Sequence, residues 1–404
     1  MTRDTTGGPL AGIRILDLTA VVLGPMATQS LGDRGAEVIK LEPLEGDVLR
    51  SNGVSRNRNM GSVFLGTNRN KQSLSLDLKS AEGRAVFERV VATCDVFVHN
   101  MRMSAATKLG LAYDALKEIK PDIVYCVATG FGMDGPDRDK PAFDDIIQAA
   151  CGLASLGREE PDYMATLIAD KTAGMALSNA VLAALLHRER TGHGQFVEVP
   201  MFETLAAWVM TEHMAGMSFE PPIGGAGYNR LLTGGRKPVP TSDGFIAMLP
   251  YTGDHWAALF HSVGRDDLID KYRVHDRHAR NDNTVDLYRE MVAITRQRDT
   301  EYWLKTCEEL DIPSTRIYSI EELPEHPHLK AVGLFQIDDH PSEGKVRTIA
   351  PPTRFHGSPA SVRSLAPRLG EHTAQVLRQV GYTDEEIARL ADANVVRVEG
   401  VKKP

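Results

Sequence analysis

Short apolar runs alternate with amphipathic segments along the first third of the chain. The segments at 25–31 and 80–93 predict helices, and the second has its apolar residues on one face. The apolar runs predict five β-strands, at residues 13–18, 37–41, 73–78, 95–99 and 123–128. Strands that alternate with helices predict an α/β fold with a doubly wound parallel sheet, which makes a Rossmann-like large domain.

After Asp170 the chain continues in a long apolar run. The run is too apolar for a surface helix, so it predicts a buried helix that begins at this residue. Gly192 stands where a left-handed residue commonly ends a helix. Residues 195–199 then predict a strand that ends at Pro200, and a second apolar helix is expected from Met201.

The pattern changes character after residue 217, which marks the end of the first part of the large domain. Residues 218–242 are rich in Gly and Pro and predict a linker. Strand and helix patterns return between 243 and 329 and predict a smaller second α/β domain. Residues 330–404 are expected to return to the large domain. A chain of 404 residues has room for two or three domains at roughly 150 residues each.

Composition and charge exclude several classes of protein. The net charge of −8 argues against a general nucleic-acid binder. The four cysteines are far apart and form no C-x-x-C pair, so neither a disulfide framework nor a metal site is predicted. No signal-peptide pattern and no run of about 18 apolar residues is present. We therefore expect a cytoplasmic protein with no membrane or nucleic-acid partner.

Asp170 has two interpretations that do not exclude each other. Asp is among the preferred residues at a helix N-cap. Alternatively, Asp170 is a carboxylate nucleophile, because a helix N-terminus favours an anion and an ordinary Asp is ionised at neutral pH.

Residues 130–135 (GFGMDG) follow a predicted strand and match G-x-G-x-x-G, so a nucleotide-dependent dehydrogenase is an alternative. That fingerprint requires the glycines to open directly into a helix that holds the pyrophosphate. Residues 136–141 (PDRDKP) instead predict a loop. The match is therefore weak.

Several motifs resemble the class III CoA-transferase family, also called the CaiB/BaiF type, which includes formyl-CoA, carnitine-CoA and bile-acid CoA-transferases. The motifs occur in the order of the family across nearly the whole chain, namely LAGIRILD at 10–17, AD at 169–170, GHGQ at 192–195 and LGEHT at 369–373. The resemblance implies that Asp170 is the nucleophile of a CoA transfer and that two chains form an interlocked homodimer. It also implies acyl-CoA and a small or medium carboxylic acid as substrates, with no tightly bound cofactor.

The resemblance further implies a coenzyme A site on loops that follow the predicted strands, where ligands collect in open sheets. The residues that match the CoA-contacting segments of the family are Val22, Leu23, Arg69, Lys71, Leu76, Lys79, Asn100, Met101, Arg102 and Lys108. Lys108 stands where some transferases carry Arg, so it keeps the charge and loses bidentate geometry. Each cation taken singly is also explained as a solvated surface charge.

Two further elements are candidates for catalytic support. The glycine loops with Gly130 and Gly132, and with residues 224–227, offer backbone N–H groups for an oxyanion. Asp144 matches an acidic residue near the nucleophile of the formyl-CoA branch, where it would be an acid/base or a polar support. Asp144 and Asp145 are alternatively an exposed acidic pair.

The same family includes α-methylacyl-CoA racemases, which need two acid/base groups on opposite sides of the substrate. Those enzymes pair the Asp with a His, and Phe143 stands at the matching position in this chain. His99 is a second candidate base, although a His at the end of a strand is more often structural. The loss of the paired His favours the transferase.

Overall fold

A seven-stranded sheet forms the centre of the larger of two compact units in this computed structural model, which describes residues 7–157, 160–232 and 236–399. The strands are β1 (Arg14–Leu18), β2 (Glu37–Glu42), β3 (Lys71–Leu76), β4 (Val96–His99), β5 (Val124–Thr129), β6 (Phe196–Pro200), β7 (Val239–Pro240), β8 (Phe245–Met248), β9 (Ser314–Arg316), β10 (Phe335–His340), β11 (Gly344–Ile349) and β12 (Val396–Arg397). The helices are α1 (Leu23–Asp33), α2 (Ser62–Thr67), α3 (Ala81–Val91), α4 (Met103–Lys108), α5 (Tyr113–Ile119), α6 (Asp144–Ala150), α7 (Ile168–Thr191), α8 (Met201–His213), α9 (Asn229–Leu232), α10 (Gly253–Ser262), α11 (Asp267–Lys271), α12 (Arg277–Asp282), α13 (Thr284–Thr295), α14 (Thr300–Glu309), α15 (Pro327–Ala331), α16 (Thr373–Gln379) and α17 (Asp384–Asp392).

The strand order of the large sheet is β12-β3-β2-β1-β4-β5-β6. Strands β1 to β6 are parallel, and β12 adds an antiparallel edge beside β3. Leu16 of β1 pairs with Ile39 of β2 on one side and with Phe97 of β4 on the other. The chain thus moves outward from β1 to β3 and then restarts on the other side at β4. This arrangement confirms the predicted doubly wound α/β fold.

The core of the larger unit lies between this sheet and its covering helices. The four residues predicted to share one face of α3, Val86, Phe87, Val90 and Val91, are fully buried there. Phe97 of β4 packs edge-on against Phe87 with ring centroids 5.8 Å apart. The amphipathic pattern of α3 is therefore explained by burial of one face against the sheet.

Helix α7 begins at Ile168, and Gly192 ends it with a φ of 76° in the left-handed conformation, as predicted. The prediction of a buried helix is correct for one face only. Met175 and Leu186, on the other side of α7, are 65 % and 51 % exposed in the single chain. The apolar composition of the helix therefore exceeds what the core of one chain requires.

The smaller unit contains an antiparallel sheet of order β7-β8-β9 and the helices α9 to α14. Its core includes the buried Trp256, Phe260 and Trp303. This unit comprises the described residues within Leu156–Pro161 and Met210–Pro327, and the larger unit comprises the rest. The domain limits expected at residues 217, 242 and 329 stay predictions. Within the described residues, we find no helix with the length and apolarity needed to span a membrane.

Candidate active site

A cavity of about 470 Å³ opens at the carboxyl ends of β1, β4 and β5, where the strand order of the sheet reverses. Open α/β sheets bind their ligands at this position, outside the carboxyl ends of the strands. The cavity brings together six of the residues predicted from the sequence, namely Leu23, Asn100, Met101, Arg102, Gly130 and Asp170. They come from four separate segments of the chain.

Asp170 is the third residue of α7 and is 9 % exposed. The N-cap position is occupied by Leu167, whose side chain makes no capping hydrogen bond. The interpretation of Asp170 as the N-cap is therefore wrong, because the helix begins two residues earlier than the apolar run indicated. Its side chain lines the cavity instead of closing the end of its own helix.

The surroundings of Asp170 raise the pKa of its carboxyl group to about 6. Burial is the largest cause, because it removes water from the charged form. The nearby carboxylate of Asp144 raises the pKa further, and a backbone hydrogen bond from Leu23 lowers it. The carboxyl group is still mostly ionised at neutral pH, as a nucleophile requires.

Asp144, the first residue of α6, is buried and holds the start of α7. Its Oδ1 accepts a hydrogen bond from the backbone N–H of Asp170 at 3.0 Å. Its Oδ2 accepts a second bond from the side-chain amide of Gln148 at 2.6 Å. The exposed acidic pair is therefore not what the structure contains, since only Asp145 is exposed. Asp144 supplies from α6 the cap that α7 lacks.

Three cations stand at the wall of the cavity. Arg102 precedes α4, as predicted, whereas Arg138 and Lys140 come from the loop after β5 and were missed. All three side chains are exposed. The available signal was the alternation of acidic and basic residues from 137 to 140, which the sequence analysis treated only as loop. Apolar wall residues that were also missed are Val21, Met103, Met133, Phe143 and Met201.

Two of the cations predicted to contact coenzyme A are instead engaged inside the protein. Both forked nitrogens of Arg69 contact the carboxylate of Asp33, at 2.7 and 2.9 Å. Lys71 is fully buried and donates to Asp17, to Asn68 and to a backbone carbonyl at 2.9–3.0 Å. An ammonium group has three donors, so none is left for a phosphate.

Four other predicted contacts do not line the cavity. Leu76 is buried in the core of the large sheet, and Val22 is buried in a small cluster with Phe64. Lys79 follows β3 and Lys108 ends α4, and both side chains are exposed. Their roles in CoA binding stay predictions without support from the cavity geometry.

The glycine loop after β5 is tied to two glutamates. Gly130 lines the cavity, as expected for an oxyanion loop. The backbone N–H of Gly132 donates to Glu203 at 2.9 Å, and that of Met133 donates to Glu198 at 2.7 Å. Gly132 is therefore a poor candidate for an oxyanion donor, because its only N–H already has a carboxylate partner. The loop at 224–227 belongs to the smaller unit, where Gly225 accepts a backbone bond from Gly216 at 3.1 Å.

The glycine motif does not open into a helix. Strand β5 ends at Thr129, residues 130–143 form turns, and the next helix is α6 at Asp144. A dinucleotide site of the expected type would need a helix N-terminus directly after the glycines. The prediction of a loop is confirmed, and this observation argues against the dehydrogenase.

His99 is buried, and burial lowers its pKa to about 4. Its Nε2 lies 2.6 Å from the hydroxyl of Tyr125, which itself donates to the carbonyl of Leu111. Its Nδ1 accepts from the N–H of Met101. The imidazole is therefore neutral, with both nitrogens engaged, and is not available as a second base.

The described residues contain no group of three or more His, Cys, Asp or Glu side chains arranged to hold a metal ion. All four cysteines are buried free thiols. Burial raises the pKa of Cys94 and of Cys126 to about 12, so neither thiol is a reactive nucleophile at neutral pH.

Comparison with known proteins adds a family and full-length relatives. The model described as CoA-transferase family III matches residues 10–373. The succinyl-CoA:glutarate CoA-transferase of Mus musculus is 31 % identical over 402 residues, which are 98 % of this chain and 92 % of the mouse protein. The succinate–glutarate CoA-transferase of Agrobacterium fabrum is 33 % identical over 95 % of this chain and 97 % of its own length. The crystal structure of a CaiB/BaiF family protein from Brucella suis superposes with a TM-score of 0.78 at 28 % identity, covering 93 % of this chain and 100 % of that one.

Proposed function

Because this chain belongs to CoA-transferase family III and is a CoA-transferase, we propose that it moves coenzyme A from an acyl-CoA thioester to a free carboxylic acid through a covalent intermediate on Asp170. The observation that carries this proposal is the position of Asp170. Its carboxylate is nearly buried and faces the cavity at the point where the strand order reverses.

The transfer proceeds in four balanced steps. The Asp170 carboxylate attacks the thioester carbonyl, which forms a mixed anhydride and releases the CoA thiolate. The thiolate attacks the aspartyl carbonyl, releases the donor acid as a carboxylate and leaves an aspartyl-CoA thioester. The acceptor carboxylate attacks this thioester, and the thiolate then attacks the acceptor carbonyl of the second anhydride and frees Asp170. Covalent catalysis thus divides one difficult exchange into easier steps.

The site needs no resident cofactor for this chemistry, because the energy of the thioester is conserved in each intermediate. Coenzyme A enters as a substrate. Arg102, Arg138 and Lys140 offer donors for its phosphates at the wall of the cavity, and Leu23 and Met101 offer an apolar surface for its arm. This division of polar and apolar lining suits a ligand with a charged end and a nearly apolar chain.

We propose a small or medium carboxylic acid as acceptor and a homodimer as the working assembly. The names of the mouse and Agrobacterium relatives make succinyl-CoA with glutarate the first pair to assay. A panel of acyl-CoA donors against free acids, read by mass spectrometry, identifies the substrates. Clean epimerisation of a 2-methylacyl-CoA without any exchange would favour the racemase instead.

The decisive experiment is to trap the intermediate. Incubation of the wild-type protein with a donor acyl-CoA is expected to leave a CoA-sized or acyl-sized adduct on the peptide that contains Asp170. Hydroxylamine should remove the adduct, because thioesters and anhydrides are both acyl donors. Asp170→Asn should form no adduct and lose exchange by several orders of magnitude, as loss of a nucleophile costs roughly 10⁶ in another enzyme class. Near-normal exchange by this variant, checked for deamidation, would refute the role of Asp170.

A further inference from the structure

The loop between β1 and α1 contains a strained residue beside the cavity. Val21 has a φ of 71° and lines the cavity wall. This left-handed region is unfavourable for a β-branched residue, whose Cβ crowds the backbone there. Such outliers persist only where the surrounding structure holds them in place, and they concentrate at functional sites.

The carboxamide of Asn100 holds the residue directly before this turn. Its Oδ1 accepts from the N–H of Ala20 at 2.9 Å, and its Nδ2 donates to the carbonyl of the same residue at 2.8 Å. The fully buried Lys40 supports the preceding residue by donating to the carbonyl of Thr19 at 2.9 Å. The chain therefore enters the turn in one orientation, and the side chain at the end of β4 decides it.

The turn in turn decides where α1 begins. Leu23 is the first residue of α1, and its backbone N–H bonds to the carboxylate of Asp170. The two helices approach closely at this point, since a Cβ added at Gly174 of α7 would lie 2.7 Å from the carbonyl oxygen of Leu23. A change of conformation at Val21 would therefore move the N–H that contacts the nucleophile.

We propose that Asn100 is a positioning residue for the transfer: its carboxamide holds Val21 in the left-handed conformation and so keeps the Leu23 N–H on the Asp170 carboxylate. This inference rests on the proposed function of Asp170. The same N–H stays beside that oxygen when the aspartyl carbonyl is attacked and carries negative charge in the tetrahedral intermediate. A preoriented donor at a developing oxyanion is among the strongest contributions to catalysis.

The pH profile of exchange separates this role from a plain CoA contact. The rate should decline below about pH 6, where Asp170 becomes protonated. Asn100→Ala should lower kcat by at least roughly tenfold and move this acid limb up by roughly one pH unit, because one stabilising bond to the carboxylate is lost. Asp144, the charged group that acts on Asp170, is unchanged in the variant. If Asn100 only contacts CoA, KM rises and the acid limb stays in place, which would overturn the proposal.

A second substitution tests the role of the strained turn directly. Glycine adopts positive φ about as readily as negative φ, so Val21→Gly added to Asn100→Ala should restore part of the lost kcat and bring the acid limb back down. Absence of any rescue in a folded double variant would contradict the role of the turn. If Asn100→Ala does not fold, Asn100→Asp replaces it, because this variant keeps the oxygen acceptor and loses the donor to Ala20.

Two comparisons keep the proposals distinguishable. Arg102→Ala should raise KM for acyl-CoA and leave the acid limb in place. Asp170→Asn with normal exchange would refute the proposed function, and with it the positioning role. An inactive Asp170→Asn together with an unmoved acid limb in Asn100→Ala would refute the positioning role alone.

Discussion

Asp170 lies in surroundings that disfavour its own charge. Burial and the carboxylate of Asp144 both raise its pKa, and the single backbone bond from Leu23 offsets only part of that effect. A desolvated carboxylate is a better nucleophile than a hydrated one because it has no water shell to shed. The same feature makes the ionised group unfavourable for folding.

Asp170→Asn is therefore expected to stabilise the protein at neutral pH. Its pKa is 3.8 without the protein environment and about 6 in the fold, so the native state binds more protons in this window and stability falls as pH rises through it. The substitution should raise the free energy of unfolding by about 1–3 kcal/mol at pH 8. The gain should vanish below about pH 4. Urea unfolding at both pH values measures it.

The matched control for this prediction is Asp134→Asn, since Asp134 is exposed and does not line the cavity. Its effect should stay within about 0.5 kcal/mol at either pH. Equal stability of the wild type and Asp170→Asn at pH 8 would mean that burial does not disfavour the ionised carboxylate.

The cations of the cavity make a second prediction at this scale. Arg102→Ala should weaken binding of CoA by about 1–3 kcal/mol, the range for a hydrogen bond to a charged group. Lys79→Ala removes the same charge from a neighbouring strand end whose side chain does not line the cavity. Isothermal titration with CoA should show a large loss in the first variant and a small one in the second. Equal losses would place the phosphates beyond the cavity.

The start of α7 depends on another helix. Leu167 at its N-cap makes no side-chain bond, so the backbone N–H of Asp170 is satisfied by Asp144 of α6. Helix termini leave four N–H groups without partners in the helix, and such groups need a partner when they are buried. The contact between α6 and α7 thus fixes the nucleophile and completes the helix end at once.

Asp144→Ala is expected to lower the free energy of unfolding by about 1–3 kcal/mol, because it frees both the N–H of Asp170 and the buried amide of Gln148. Asp145→Ala changes the exposed neighbour on the same turn and should have a smaller effect. Chemical denaturation of the two variants at pH 8 provides the comparison. A larger loss in Asp145→Ala would exclude the capping role of Asp144.

At the scale of the molecule, strand order creates the site and the surface suggests the assembly. The reversal between β1 and β4 opens a crevice that no single segment forms. Met175 and Leu186 of α7 and Trp208 of α8 leave large apolar surfaces exposed, with Trp208 at 55 %. Such surfaces commonly mark contacts with another protein chain.

We expect these surfaces to be covered in a homodimer. Sedimentation equilibrium should give a mass twice the 44.3 kDa of the chain. Leu186→Lys should shift the equilibrium toward the monomer, since a charge would enter an apolar contact. Lys305→Glu, which alters an exposed side chain on α14, is the control. A monomeric wild type at micromolar concentration would contradict the prediction.

The sequence by itself determined the elements with a strong period. The five first strands, α3 and the start of α8 follow from apolar runs and amphipathic spacing, because burial of one or both faces dictates those patterns. Gly192 and Pro200 limited their elements because their backbone conformations are restricted or permissive in known ways. The motifs around Asp170 were enough to indicate the family, which needs only local residues in order.

Only the tertiary structure decided which charges face the cavity. Arg69 and Lys71 carry the right charge at the right strand ends, yet they pair with Asp33 and Asp17 from other segments. Likewise Asp170 carries no cap of its own, since its cap comes from α6. A side-chain partner distant in sequence leaves no periodic signal, so ion pairing, capping and the raised pKa of Asp170 follow from packing alone.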